Sequence, residues 1–244
     1  MRISKDILNI DYCDTQNFFQ NRTEKYNADN PYTVTMYQDN NPQLAEKRNL
    51  AEVNKLIPKL NLNNNSKVLD LACGVGRWAD AINVDVAEYC GIDFIEDFIN
   101  IAKSRNKKEN FSFYCGSVGN VRKILNDLGK GMYNTILMMG IFVYLNDDEL
   151  TSTLSQTKEI CDKHTIICIR GPVAINDRLT LKNDYSVELG VNYNAIYRNR
   201  EEMLSFLQIF TDAGFEIVEE NFLFDEKSLN NRKETSQYYY ILKR

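Results

Sequence analysis

A chain of 244 residues with 34 acidic against 29 basic side chains, a net charge of −5 and a pI near 5.1 has no excess of cations to draw in phosphate backbones or anionic membranes. Hydrophobic residues at 43% and charged residues at 26% exclude a disordered chain, and the length suits one core domain with a small accessory part. The expected partner is a small molecule, with neither nucleic acid nor membrane.

Six cysteines stand at positions 13, 73, 90, 115, 161 and 168 without a CxxC pair, and the polar N-terminus shows no signal-peptide pattern. A cytoplasmic chain with reduced thiols is expected. Cys90, Cys115, Cys161 and Cys168 fall in or beside apolar runs and read as buried structural thiols; no metal site is expected.

Residues 1–60 are rich in aromatic side chains, and Asn41-Pro42 offers a helix N-cap followed by proline at the first helical position. They read as a helical N-terminal cap on a main domain over 61–244. From residue 67 onward short apolar runs alternate with helical stretches, the pattern of an α/β fold whose sheet is covered on both faces. Strands are expected at Lys67–Leu71, Tyr89–Ile92, Asn110–Tyr114, Thr135–Met139 and Thr165–Ile169, with helices near 76–84, 95–105, 119–128 and 147–162. Asn146-Asp147-Asp148-Glu149 marks the start of the last of these helices, and Lys103 to Lys108 is a solvated basic end of the second.

After the fifth strand, residues 170–197 read as irregular, an insert at about 170–198 poised to be an acceptor lid. Its arginines Arg178 and Arg198, with Arg200 just beyond, and its tyrosines Tyr185, Tyr193 and Tyr197 are the polar groups on offer. Asn199 then caps a helix running to Asp212, with Gly214 ending it. Two closing strands, Phe215–Phe224 and Thr235–Leu242, are able to form an antiparallel pair at the sheet edge. The tyrosines Tyr238, Tyr239 and Tyr240 alternate between faces and read as core and surface, not as a base-stacking platform.

The run Val68-Leu69-Asp70-Leu71 empties into Ala72-Cys73-Gly74-Val75-Gly76 and a helix, a turn small enough for backbone N–H groups to approach a ligand. Asp93 then follows the second strand, where a carboxylate can accept from two ribose hydroxyls. Asp70, inside the turn, suits a cationic ligand better than a pyrophosphate. Together these residues resemble the class I S-adenosylmethionine-dependent methyltransferases, in particular the small-molecule branch with a helical N-terminal cap. Ala72 stands where many members have glycine.

The resemblance implies a Rossmann-like sheet of seven strands, mostly parallel with an antiparallel last strand, and S-adenosyl-L-methionine as cofactor. It implies that Asp70 and the turn backbone at Ala72, Cys73, Gly74 and Gly76 hold the methionine part. Asp93 would bind the ribose, Phe94 would pack on adenine, and Gly116, Ser117 and Val118 would flank the adenine edge. Ser117 replaces the usual aspartate. Met139 and its neighbours to Leu145 resemble the segment lining the methyl-transfer site, and Tyr26 belongs to a stretch resembling the cap over the cofactor.

The acceptor is less legible. Asp29-Asn30-Pro31-Tyr32 only faintly resembles the adenine-methylating tetrapeptide, and the place after the fourth strand reads Met139-Gly140-Ile141-Phe142 instead. His164 precedes the fifth strand at the wrong end of the sheet for catalysis. Tyr37, Tyr144 and Glu188 are the candidate bases by position, and Arg170 either pairs with a carboxylate or meets an anionic substrate. The expectation is O-methylation of an anionic or sugar-linked small molecule, of the kind met in bacterial surface-polysaccharide or secondary-metabolite synthesis. The competing readings are an RNA methyltransferase, a nicotinamide-dependent oxidoreductase and a cofactor-binding accessory subunit.

Overall fold

The computed structural model of the chain describes residues 1–230 and 232–244. Its elements run β1 (Arg2–Ser4), α1 (Tyr12–Thr23), α2 (Thr33–Met36), α3 (Pro42–Leu56), β2 (Lys67–Leu71), α4 (Arg77–Ala81), β3 (Glu88–Asp93), α5 (Glu96–Arg105) and β4 (Phe111–Cys115). There follow α6 (Val121–Asp127), β5 (Tyr133–Met139), α7 (Asp147–Glu159), β6 (Cys161–Ala174), β7 (Leu179–Ser186), β8 (Val191–Tyr197), α8 (Arg200–Thr211), β9 (Glu216–Phe222) and β10 (Thr235–Lys243).

Side chains alternate along a strand, and here both sets are apolar. Leu69, Leu71, Ile92, Ile136, Met138, Ile167 and Ile169 meet Leu150, Leu154, Leu207 and Phe210 of α7 and α8 on one face. Val68, Tyr89, Phe113, Leu137 and Cys168 meet Leu56, Trp78, Ile99 and Ala102 of α3, α4 and α5 on the other. The tyrosine run splits in the same way, Tyr239 to the second face and Tyr238 and Tyr240 to the first, so all three are buried where alternation between core and surface was expected, because both faces of the sheet are covered.

The seven-stranded sheet has the order β4-β3-β2-β5-β6-β10-β9. β2 to β6 are parallel to one another, and β10 runs antiparallel to both β6 and β9. The order reverses between β2 and β5, so a crevice opens at the carboxyl ends of these strands, where ligands of open α/β sheets bind. His164 is exposed near the opposite end of β6. Among the described residues no helix is long and apolar enough to cross a membrane.

The stretch 170–197 is not irregular. β6 continues to Ala174, and β7 and β8 form an antiparallel hairpin whose outer edge takes β1, giving a second sheet of order β1-β7-β8. The N-terminal sixty residues are therefore not helical throughout, since Arg2–Ser4 pair with Leu179–Leu181. Smaller differences have local causes. The helix expected to 162 stops at Glu159 because Cys161 already pairs with Tyr133, and the one expected over 119–128 is split into a 3-10 turn at Val118–Asn120 and α6. Cys90, Cys161 and Cys168 are buried, but Cys115 is exposed because it ends the edge strand β4.

Candidate active site

The turn after β2 folds back over the end of β3. Ala72 and Cys73 both donate to the carbonyl of Ile92, at 2.8 and 3.1 Å, and the Gly74 N–H donates to Oδ2 of Asp93 at 2.9 Å. Ala72 and Gly74 both have positive φ, 65° and 53°. At Gly74 a Cβ would also come within 3.0 Å of Thr35 Cγ2, because α2 and its neighbours lie across the turn. That backbone geometry is strained for a residue with a side chain, and Ala72 tolerates it in an otherwise buried loop.

Asp93 is 5% exposed and accepts at Oδ1 from the Ile95 N–H at 3.0 Å. Burial pushes its carboxyl up to about 6, with the backbone donors of Ile95, Gly74 and Phe94 opposing the rise. Asp70 is fully buried at the end of β2. Its Oδ2 accepts from the Tyr89 hydroxyl at 2.5 Å, its Oδ1 has no partner among the described residues, and burial pushes it up to about 7.

A cavity of about 540 Å³ opens beside this turn. Of the residues expected to hold a cofactor, Ala72, Cys73, Gly74, Asp93, Phe94, Ser117, Val118 and Met139 line it. Asp70, Gly76, Gly116 and Tyr26 are not on its wall. Asp70 lies behind the turn, Gly76 caps α4 with a φ of 81°, and Gly116 donates to the Asp93 carbonyl at 2.8 Å. Tyr26 packs with Val34, Val75, Ile95 and Phe98. Ser117 has its hydroxyl occupied by the Gly119 N–H at 3.3 Å. Phe19, from the middle of α1, meets Phe94 and Tyr144 edge-on at 5.8 and 5.0 Å, so the N-terminal segment covers this end of the cavity.

Tyr37, Tyr144 and Arg170 line the cavity too, and Glu188 does not. The Tyr144 hydroxyl donates to that of Tyr37 at 2.8 Å, and Tyr193 and Tyr197 share a hydrogen bond of 3.0 Å in the same wall. Burial raises Tyr37, Tyr144 and Tyr197 well above the ordinary phenol range. These hydroxyls stay protonated at neutral pH and act as donors or apolar surface, not as ready bases.

Arg170 pairs with a carboxylate that the sequence pattern does not mark. Glu52 of α3 is 1% exposed, and its Oε1 accepts from Nε of Arg170 at 2.7 Å and from Nη2 of Arg77 at 2.8 Å. Burial would push Glu52 up, but the charges of Arg170 and Arg77 outweigh it and hold the carboxyl below its usual range. Two guanidinium groups share one carboxylate, which leaves this wall electropositive. The insert arginines have a different fate from the acceptor role expected of them. Arg178 and Arg198 both bind Asp147 at the start of α7, and Arg200 pairs with Glu220 on the surface. None of the three lines the cavity, whereas Arg48 and Arg232, which carried no expectation, do.

Residues 68–164 match a family model described as a methyltransferase domain. Among curated proteins the chain is 29% identical over 87 residues to a malonyl-[acyl-carrier protein] O-methyltransferase of Bacillus anthracis, a match over 35% of this chain and 30% of that protein. It is 36% identical over 75 residues to the 23S rRNA (uracil(1939)-C(5))-methyltransferase RlmD of Aliivibrio fischeri, covering 30% of this chain and 17% of that protein. The chain thus spans less than a third of the length of these relatives. Among solved structures, phosphoethanolamine N-methyltransferase 1 of Haemonchus contortus, in complex with phosphoethanolamine and S-adenosylhomocysteine, superposes with a TM-score of 0.69 at 16% identity. The superposition covers 93% of this chain and 48% of that one.

Residues 68–164 thus form a methyltransferase domain, and the fold of the chain is that of the class I S-adenosylmethionine-dependent methyltransferases. The antiparallel β10 of this methyltransferase separates it from the all-parallel continuation of a dinucleotide-binding fold and removes the nicotinamide reading. S-adenosyl-L-methionine is the family's cofactor, and the residues present fit it. The chain offers a buried carboxylate at the end of β3, an adjacent aromatic ring in Phe94, and a turn whose Gly74 takes a positive φ with Thr35 Cγ2 3.0 Å from where a Cβ would lie.

Proposed function

We propose that this methyltransferase methylates an oxygen of a small, anionic or sugar-linked acceptor. The observation that carries the reading is one continuous cavity. It runs from Asp93 and Phe94, past Met139, Gly140 and Tyr144, to Tyr193, Tyr197 and Arg232, and its volume lies within the range of small-molecule sites. The net charge of −5 argues against RNA as the acceptor, although one relative is named for an rRNA substrate.

In this reading Asp93 accepts from the ribose hydroxyls, Phe94 and Val118 sandwich the adenine, and the turn backbone with the Arg77–Glu52–Arg170 cluster receives the amino acid part. Asp70 acts from behind the turn through the field of its carboxylate. When bound, the cofactor supplies an electrophilic methyl group on a sulfonium. The chain's own task is alignment: Met139, Gly140 and Tyr144 shape the space between the two ends, residues 1–60 close over the cofactor end, and the β7–β8 insert walls the acceptor end.

Oxygen is favoured over nitrogen by the distribution of charge. Glu52 is held between two arginines, Asp93 is engaged by the Gly74 turn, and Glu149 lies beside Tyr12. Two of the three carboxylates on the described wall are thus engaged, and the third, Glu149, has the neutral Tyr12 beside it. An anionic oxygen nucleophile needs no base, in keeping with the protonated state of Tyr37 and Tyr144. The six free cysteines suit a reducing cytoplasm.

Calorimetry with S-adenosylhomocysteine tests the cofactor half, with Asp93→Ala expected to weaken binding. No binding by the parent chain, or an unchanged variant, defeats it. Screening carboxylic acids, hydroxylated sugars and RNA for release of S-adenosylhomocysteine tests the acceptor half, and activity with RNA alone defeats that.

A further inference from the structure

Resting on that reading, we infer that Glu149 of α7 accepts from the amino group of adenine and that the Thr153 hydroxyl beside it donates to a ring nitrogen, so that the base is selected from a helix instead of from the turn after β4. Phe94, Ser117, Val118 and Gly119 line the cavity at the ends of β3 and β4, and residues 116–120 of that turn contain no acid. The Ser117 hydroxyl already accepts from the Gly119 N–H. A carboxylate for the base has to come from another element, and α7 brings one.

Glu149 and Thr153 are one helical turn apart, so they share a face of α7, and both line the cavity. Gln156, on the next turn of that face, fixes where the face points: its Nε2 donates to the Gly119 carbonyl, and its Oε1 accepts from the Arg122 N–H at 3.4 Å. The two side chains thus stand along the turn that holds Val118. Thr151 and Thr157 donate back to the carbonyls of Asp147 and Thr153, four residues earlier, as threonines in helices can. The Thr153 hydroxyl does not. It is buried, in a residue 1% exposed, without a hydrogen-bond partner among the described residues. The three acids of the first turn differ in the same way. Asp147 takes Arg178 and Arg198 and Asp148 is exposed, whereas Glu149 joins no cation among the described residues and has the neutral Tyr12 beside it. An unpaired carboxylate and an unused hydroxyl one turn on supply an acceptor and a donor, the pair that the amino group and a neighbouring ring nitrogen of adenine require.

The test is calorimetry of the full chain with S-adenosylhomocysteine and with S-inosylhomocysteine, in which a carbonyl oxygen replaces the amino group. The parent is expected to bind the adenine compound about tenfold more tightly or better, a factor that corresponds to about 1.4 kcal/mol, because a carbonyl opposite Glu149 sets two acceptors face to face. Glu149→Gln can turn either its oxygen or its NH2 to the base, so its preference should fall to about twofold or less. Thr153→Val removes the hydroxyl and keeps the shape, and should weaken S-adenosylhomocysteine binding about threefold or more. A parent that binds the two compounds alike, a Glu149→Gln chain that keeps the parent's preference, or a Thr153→Val chain that binds as the parent does overturns the proposal. A preference kept in Glu149→Gln leaves Glu149 only its place at the positive end of the α7 dipole. Failure of the parent to bind either compound instead overturns the methyltransferase reading beneath it.

Discussion

The Gly74 N–H donates to Oδ2 of Asp93 at 2.9 Å, which makes the turn after β2 and the acid at the end of β3 one hydrogen-bonded unit. Asp93→Ala removes both the ribose acceptor and the partner of a buried backbone donor. The cofactor affinity is expected to fall by roughly ten- to hundredfold, the range of about 1.5–3 kcal/mol for hydrogen bonds to a charged group. Asp93→Asn keeps one carbonyl oxygen and should lose less. Calorimetry with S-adenosylhomocysteine separates the two, and equal affinity in parent and Asp93→Ala refutes the assignment.

Cofactor binding should depend on pH through the same residue. In the unliganded chain Asp93 titrates at about 6, and ribose hydroxyls donate to its ionised form. Affinity for S-adenosylhomocysteine is therefore expected to rise as pH rises towards 6, by about tenfold per unit well below it, and to level off above. A flat profile between pH 5 and 7 contradicts the assignment.

Asp70 makes a prediction of opposite use, about stability. Its carboxyl, raised from 3.8 to about 7, binds a proton in the folded state that the unfolded state releases. Its contribution to stability is fully present below about pH 4 and is lost as pH rises through 7. Asp70→Asn retains an oxygen for the Tyr89 hydroxyl and carries no charge. At pH 8 the variant is expected to match or exceed the parent, by on the order of 1–3 kcal/mol, with a smaller gap at pH 5. Thermal melts at the two pH values decide it.

The parts of the fold that were legible are those whose pattern is local. The β2 strand, its small-residue turn and Asp93 sit within 27 residues, and each obeys its own rule of apolar run, tight turn and strand-end acid. The β7–β8 hairpin hid because its alternation breaks. Asn183 takes a positive φ of 48°, and the register shifts between Leu181 and Asp184. Arg178 and Arg198 looked like substrate ligands because their partner, Asp147, lies on a different element and nothing adjacent announces it. Glu52 was hidden for the same reason: a helix acid reads as solvated until Arg77 and Arg170, one on each side of the switch in strand order, are seen to converge on it.

Asp147 is the point where the insert is fastened. Arg198, 2% exposed, donates to it from Nε at 2.9 Å and to the carbonyls of Phe142 and Leu145 at 2.8 and 2.7 Å. It thereby ties the end of β8 to the segment that lines the middle of the cavity. Arg198→Ala leaves two carbonyls and a carboxylate short of a donor, and a loss of about 3–5 kcal/mol is expected from a broken buried pair. Hydrogen exchange should quicken over residues 179–197 and 142–147 together. Faster exchange in one segment without the other contradicts a shared anchor.

Glu52 supplies the most severe test, because it is the single carboxylate between Arg77 and Arg170. Removing its charge with Glu52→Gln leaves two guanidinium groups facing one another across a wall that is closed to water on the protein side. The repulsion has two remedies, an added anion or a carboxylate from a ligand. The variant is expected to lose about 3–5 kcal/mol of stability and to regain part of it in the presence of S-adenosylhomocysteine, whose carboxylate takes up the freed cations. The gain in melting temperature on adding S-adenosylhomocysteine should thus be larger for Glu52→Gln than for the parent. An equal or smaller gain means that the Arg77–Glu52–Arg170 cluster serves the core alone and does not face the amino acid end of the cofactor.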